Sequence, residues 1–225
     1  MNFSRHYIDG RWVDSHSEAT IAVVNPATMQ PFAEISAGDS KDAAEAAEAA
    51  RRAFPAWKKT TLDERIALMR KWAEALTERA ETIGELEVQE LGTPWEYSYK
   101  KHGLYQIGRI KAYCECAHEM GFQGKLTGAY VRMEPVGVVS CITPWNYPLG
   151  QIVQKVIPAL LMGNTVVLKP SSQAPLSAFV LAEAAEEAGI PAGVFNLISG
   201  SARSYGDSLI THPALAMVSF TGSTA

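Results

Sequence analysis

From His6 to Ile35, short apolar stretches alternate with turn signals at Asp9-Gly10, Asn25-Pro26 and Gln30-Pro31. That pattern predicts short strands or an extended arm. It changes at Asp39. Asp39-Ser40 supplies an N-cap, and the Ala-rich run to Ala53 has high helix propensity. Thr61-Leu62-Asp63-Glu64 fits a capping box, in which the hydroxyl and the carboxylate satisfy orphan backbone donors reciprocally. Ile66, Met69, Ala73 and Leu76 then keep helical spacing, with Arg65, Lys71, Glu74 and Arg79 expected to point outward. Further helix is predicted over Thr82–Leu91 and part of Pro94–Met120. No chemistry is visible in this mainly helical section.

The second half differs in kind. Val136 to Ile142 is a near-continuous apolar run, as expected of a strand buried on both faces. Leu149–Met162 predicts a buried helix, distorted at Pro158 and ended by Gly163-Asn164. Thr165–Leu168 is a second strand. Pro175 opens a helix that stops at Gly189, with Leu176, Phe179 and Val180 on one face and Glu183, Glu186 and Glu187 outward. Val194–Ile198 is a third strand, Arg203–Thr211 another helix, and Ala216–Phe220 a fourth strand. This alternation implies an α/β fold: a doubly wound parallel sheet, preceded by a mainly helical section and a short β arm. Ligands of such sheets sit beyond the carboxyl ends of the strands.

Composition narrows the function classes. The chain has 225 residues, 47% of them hydrophobic and 20% charged, which excludes disordered and collagen-like chains. At roughly 150 residues per domain, that length amounts to about one and a half domains. No apolar run approaches the roughly 20 residues that span a bilayer, and the amino terminus has no apolar signal region. No membrane association is expected. A net charge of -4 argues against a general nucleic-acid partner. Three cysteines (Cys114, Cys116 and Cys141) are an odd count, which fits a reducing, cytoplasmic location. Cys114-x-Cys116 lacks the spacing and partners of a zinc site, so no metal is expected and all three thiols are taken as structural.

Candidate chemistry lies at the strand ends. Pro144 and Pro148 bracket a stiff loop that presents Asn146. Its amide either donates to an oxygen that gains negative charge or holds the turn by bonding its own backbone. The second strand runs into Lys169-Pro170-Ser171-Ser172. The lysine suits a ribose hydroxyl or a phosphate, or is simply a solvated strand-end lysine. Dinucleotide folds commonly place a carboxylate near this point to hold the ribose. Here Lys169 and two serines stand there, so a 2′-phosphate is tolerated. Gly200 and Gly206 follow the third strand without a G-x-G-x-x-G, a weak signal. Phe220-Thr221-Gly222-Ser223-Thr224 follows the fourth, with hydroxyls and a glycine suited to a pyrophosphate.

Together these stretches resemble the aldehyde dehydrogenase superfamily. The matching elements are Asn25-Pro26-Ala27-Thr28, Phe54-Pro55-Ala56-Trp57, Glu134 to Val138, Pro144 to Leu149, Gly163 to Ser171, Gly189 to Asn196, and Phe220 to Thr224. The resemblance covers the whole chain. It implies oxidation of a small-molecule aldehyde to a carboxylic acid with NAD or NADP. Asn146 would be the catalytic residue that stabilises the oxyanion. Ile142, Thr143, Pro144 and Trp145 would line the cofactor cleft, Lys169 would meet the adenosine ribose, Gly222 and Ser223 the pyrophosphate, Thr221 would pack near the nicotinamide, and Pro170, Ser171, Ser172, Gly206 and Phe220 complete the cofactor set. Ser172 stands where many NAD-preferring members carry Glu, and Tyr147 where Phe is more frequent.

By the same resemblance, residues 1–38 form an extended arm, 39–124 a helical section, 125–135 a β-hairpin used in subunit contact, and 136–225 a partial Rossmann-like unit. Full-length members are usually homo-oligomers. The family's nucleophilic cysteine and its glutamate lie downstream of the F-T-G-S-T turn, and none of the three cysteines here matches. The chain is therefore expected to be incomplete relative to the family and inactive by itself. The alternative is a shortened, catalytically inactive protein that binds a dinucleotide or a partner chain.

Overall fold

Four short strands open the chain: β1 (Arg5–Ile8), β2 (Arg11–Asp14), β3 (Thr20–Asn25) and β4 (Gln30–Ser36). The structure, a computed structural model, describes residues 3–120 and 123–223, so Thr224 of the expected turn lies outside the described residues. Helices α1 (Ser40–Trp57), α2 (Leu62–Glu78) and α3 (Ala80–Leu91) follow. After the short α4 (Trp95–Tyr97), a π-helical turn (Ser98–Leu104) leads into α5 (Tyr105–Glu119). A hairpin of β5 (Gln123–Leu126) and β6 (Ala129–Arg132) precedes the alternating part: β7 (Val138–Ile142), α6 (Pro148–Leu161), β8 (Thr165–Lys169), α7 (Leu176–Glu187) and β9 (Phe195–Leu197). Two short helices, α8 (Ala202–Tyr205) and α9 (Ser208–Thr211), and strand β10 (Leu215–Phe220) complete the chain.

The main sheet has six strands in the order β10-β7-β8-β9-β1-β2. The four strands β10, β7, β8 and β9 are parallel, as expected. The arm departs from expectation. Its first hairpin joins this sheet, with β1 antiparallel to β9, so the sheet is mixed. The physical reason is that Tyr7 and Ile8 are buried and cover what would otherwise be an open apolar strand edge. Strands β3 and β4 pair separately as a hairpin.

Side-chain alternation sends successive residues of each strand to opposite faces, and the two faces build separate cores. Val138, Val167 and Ile198 pack with Ile8, Tyr205, Leu209 and the alanines Ala43, Ala46, Ala49 and Ala50 of α1. Alanines let the helix approach closely enough for the Thr165 hydroxyl to donate to Ala50 O at 2.9 Å. Val139, Cys141, Val166 and Leu168 face the other way, toward α6 and α7, with α2 packed behind them. Two buried indoles tie these layers: Trp57 Nε1 donates to Leu160 O at 3.2 Å and Trp72 Nε1 to Leu181 O at 2.9 Å.

Both expected helix starts form as capping motifs. Asp39 pairs with Asp42 at α1, and Thr61 with Glu64 at α2. Two local expectations change. Arg65 is buried rather than turned outward, because its guanidinium closes backbone carbonyls, with Nε donating to Leu161 O at 2.7 Å and Nη1 to Thr60 O. Arg203–Thr211 is two short helices, broken at Gly206-Asp207. Among the described residues no helix is long and apolar enough to cross a membrane.

Candidate functional site

The site is built by strand register. Ile142 of β7 lies opposite Lys169 of β8 on one side and Phe220 of β10 on the other. The loops that leave these strands stay joined: Thr143 N donates to Lys169 O, and Thr221 N to Ile142 O, each at 3.1 Å. The carboxyl ends of three parallel strands thus gather Ile142, Thr143, Pro144, Trp145, Asn146, Lys169, Pro170, Ser171, Ser172, Phe220, Thr221, Gly222 and Ser223 along one margin of the sheet. Gly206 is not at a strand end; it sits in the break after α8, with its N–H on Ala202 O at 2.8 Å.

Asn146 is exposed, and among the described residues its side chain makes no hydrogen bond. The amide does not hold its own turn; it points a free donor at solvent. Trp145 beside it is also exposed. Thr143 is buried, with an unpartnered hydroxyl.

Lys169 departs from a solvated strand-end lysine. It is only 4% exposed, and its Nζ donates to Pro170 O at 3.0 Å. Burial disfavours the charged amine and lowers its pKa to about 8. Ser171 and Ser172 are half-buried beyond it. Gly222 follows the exposed Phe220, whose ring tip lies over it: a Cβ there would stand 2.4 Å from the ring and turn it aside. The exposed glycine turn, the buried amine and the half-buried hydroxyls of Ser171 and Ser172 are polar groups of the kind a dinucleotide needs, so the residues present fit NAD or NADP.

A cavity of about 430 Å³ opens beside this margin, lined by Trp145, Ser172, Gln173, Glu90, Val24 and Pro26. No carboxylate stands at the end of β8 itself, but the fold brings Glu90 of α3 into this cavity wall. Glu90 accepts the N–H of Leu176 at 3.0 Å, and burial pushes its carboxyl pKa well above the ordinary value. One turn earlier, Glu87 is fully buried and pairs with Nδ1 of His102. Sequence reasoning missed both glutamates. A signal was present: Ala80, Ile83, Glu87 and Glu90 share one helical stripe, so two acids occupy core positions.

The profile described as the aldehyde dehydrogenase family matches residues 12–225. The chain belongs to this family. It is 40% identical over 225 residues to the 3-sulfolactaldehyde dehydrogenase of Pseudomonas putida, an alignment covering 97% of this chain and 46% of that protein. Among solved structures, the aldehyde dehydrogenase of Bartonella henselae superposes with a TM-score of 0.96 at 39% identity, covering 100% of this chain and 48% of that one. The C291A mutant of aldehyde dehydrogenase C from Pseudomonas syringae, complexed with NAD+ and octanal, superposes with a TM-score of 0.93 at 36% identity, covering 96% and 45%. A family structure from E. coli, 36% identical over 98% of this chain and 47% of its own, is of an NADP-dependent enzyme. The aldehyde dehydrogenase family thus uses NAD or NADP. This chain spans about half the length of the relatives it matches.

Burial suppresses two of the chain's three cysteines as nucleophiles. Cys141 is enclosed in β7, and burial pushes its thiol up to about 12. Cys114 is buried in α5 and also raised by desolvation, and Cys116 is exposed on the same helix.

Proposed function

We propose that this chain supplies the cofactor-binding surface and the oxyanion donor for NAD(P)-dependent oxidation of an aldehyde to a carboxylic acid. The observation that carries this reading is the free, exposed amide of Asn146, held between two prolines at the margin shared by Lys169 and Thr221. When bound, NAD(P)+ takes up the two electrons released by the aldehyde. Lys169 binds the adenosine ribose, with Ser171 and Ser172 beside it. Gly222 and Ser223 contact the pyrophosphate, Thr221 packs near the nicotinamide, and Ile142 to Trp145 form the cleft wall. Asn146 donates Nδ2–H to the carbonyl oxygen as a thiolate adds to the carbon. A fixed donor of this kind stabilises the oxyanion without reorganisation as charge develops. The attacking thiolate is assigned to none of Cys114, Cys116 and Cys141.

The substrate is an aldehyde, and the location we infer is the cytoplasm. Gly206 is kept as a cofactor contact only through family likeness. The experiment joins this chain in frame to the remaining half of the Bartonella henselae protein and follows NAD(P)H formation with an aldehyde. Asn146→Ala is expected to lower kcat by about 10²–10³. An Asn146→Ala fusion as active as its parent would remove the oxyanion assignment. The 225-residue chain alone is expected to show no aldehyde-dependent turnover.

A further inference from the structure

Three segments distant in sequence converge behind the loop that carries Asn146. Glu87 of α3 is 0% exposed and His102 of the π-helical turn 2% exposed, and the carboxylate lies 2.5 Å from the imidazole Nδ1. Leu149, in the first turn of α6, lies beside the same carboxylate. The His102 ring packs on Tyr147, with centroids 4.1 Å apart, and Tyr97 closes its other side at 5.2 Å. Tyr147 directly follows Asn146, and Pro148 and Leu149 begin α6.

The local backbone explains why this convergence needs a special device. Helix α6 has no side-chain cap of its own, since Tyr147 is the N-cap and Pro148 has no N–H. A π-helical run of seven residues, Ser98–Leu104, is rare, and such turns occur most often at functional sites. Here the π turn swings His102 inward while its neighbours Lys101 and Leu104 stay exposed.

We propose that Glu87 and His102 are positioning residues for Asn146. Glu87 holds the His102 ring, and His102 fixes the Tyr147 ring. The peptide between these anchors and Pro144 then has one orientation in which to present the amide. Neither residue touches the reacting atoms. The inference rests on the proposed function for the meaning of Asn146, but its geometry is testable apart from it.

The test uses the full chain, with the Asn146 side-chain amide and the Tyr147 ring assigned by NMR. Glu87→Gln and His102→Phe are expected to shift both sets of signals, while Lys169 signals and NADP+ affinity stay unchanged. His102→Asn, which keeps an N–H donor toward Glu87, is expected to move the Asn146 amide less than His102→Phe does. Unmoved Asn146 and Tyr147 signals in the folded variants would overturn the proposal. If those variants fail to fold, Tyr147→Leu decides: it leaves the buried pair intact and removes only the ring. An Asn146 amide unchanged in Tyr147→Leu sinks the inference, and a shifted one supports it. NADP+ titration of the parent chain reports separately on the proposed function.

Discussion

Glu90 accepts the backbone N–H of Leu176 at 3.0 Å across 86 positions of sequence. Helix α7, like α6, lacks a side-chain cap of its own, with Pro175 at its N-cap. A carboxyl oxygen at a helix N-terminus satisfies an orphan backbone donor. Glu90 of α3 thus closes the first turn of α7.

This makes Glu90 a stability determinant with a defined pH signature. Its carboxyl pKa is raised by burial above the ordinary 4.5, so the folded chain holds a proton that the unfolded chain has released. The stabilisation is complete below the ordinary value and is lost as pH rises toward the folded one. Glu90→Ala should cost about 1–3 kcal/mol by leaving the Leu176 donor unpaired. Glu90→Gln keeps an acceptor and cannot ionise, so it should cost less and flatten the decline with pH. Urea unfolding at acid and neutral pH measures both. Equal losses in the two variants would refute the capping role.

Gly150 is a second sharp case. A Cβ at this position would stand 2.5 Å from Cδ1 of Tyr147 and 3.1 Å from the Gln106 amide. Gly150→Ala therefore has to displace the Tyr147 ring, and overpacking of this kind costs about 1–3 kcal/mol. Thermal unfolding checks the cost. A Gly150→Ala chain as stable as the parent would mean that the ring has room to move.

How much of this was legible in the sequence follows from the range of each interaction. The caps at Asp39 and Thr61 are local, and both formed where the residue types placed them. The strand ends were legible because buried parallel strands are apolar runs, so Lys169 and Asn146 stand out at their termini. Glu87 and Glu90 were missed because their partners, His102 and Leu176, are supplied by other elements later in the chain. The hairpin of β1 and β2 joins the sheet for a tertiary reason, the covering of β9, that no local pattern carries. Arg65 was placed outward by charge alone, whereas its guanidinium is consumed by the carbonyls of Thr60 and Leu161.

The thiols should separate by exposure. Cys116 is exposed, Cys114 and Cys141 are buried, and burial raises the pKa of both enclosed thiols. The reactive species is the thiolate, which these two sites suppress. An aromatic disulfide reagent should modify Cys116 in the native chain and all three cysteines after denaturation. Rapid native labelling of Cys141 would contradict its place inside β7.

Cofactor discrimination should respond to Ser172. The residue is half-buried next to Ser171 at the end of β8, with no carboxylate on that strand end. Ser172→Glu adds a negative charge where a 2′-phosphate would approach, and like charges at an interface cost several kcal/mol. Calorimetric titration should show NADP+ binding weakened by about tenfold or more, with NAD+ affected far less. Equal weakening of both would place the 2′-phosphate elsewhere.

Lys169 links stability to function with the opposite pH sign from Glu90. Its amine pKa is lowered by burial from 10.5 to about 8, so between those values the unfolded chain binds a proton that the folded chain does not. Stability should therefore rise as pH increases through that window. At neutral pH the buried ammonium carries a desolvation cost and bonds only the Pro170 carbonyl. Lys169→Met keeps the aliphatic stem and removes the charge, so it should raise Tm at neutral pH and abolish the alkaline gain. The same variant should weaken dinucleotide binding, because the amine that costs stability is the one assigned to the ribose. A Lys169→Met chain that melts below its parent at neutral pH would show that the amine is adequately solvated by its surroundings.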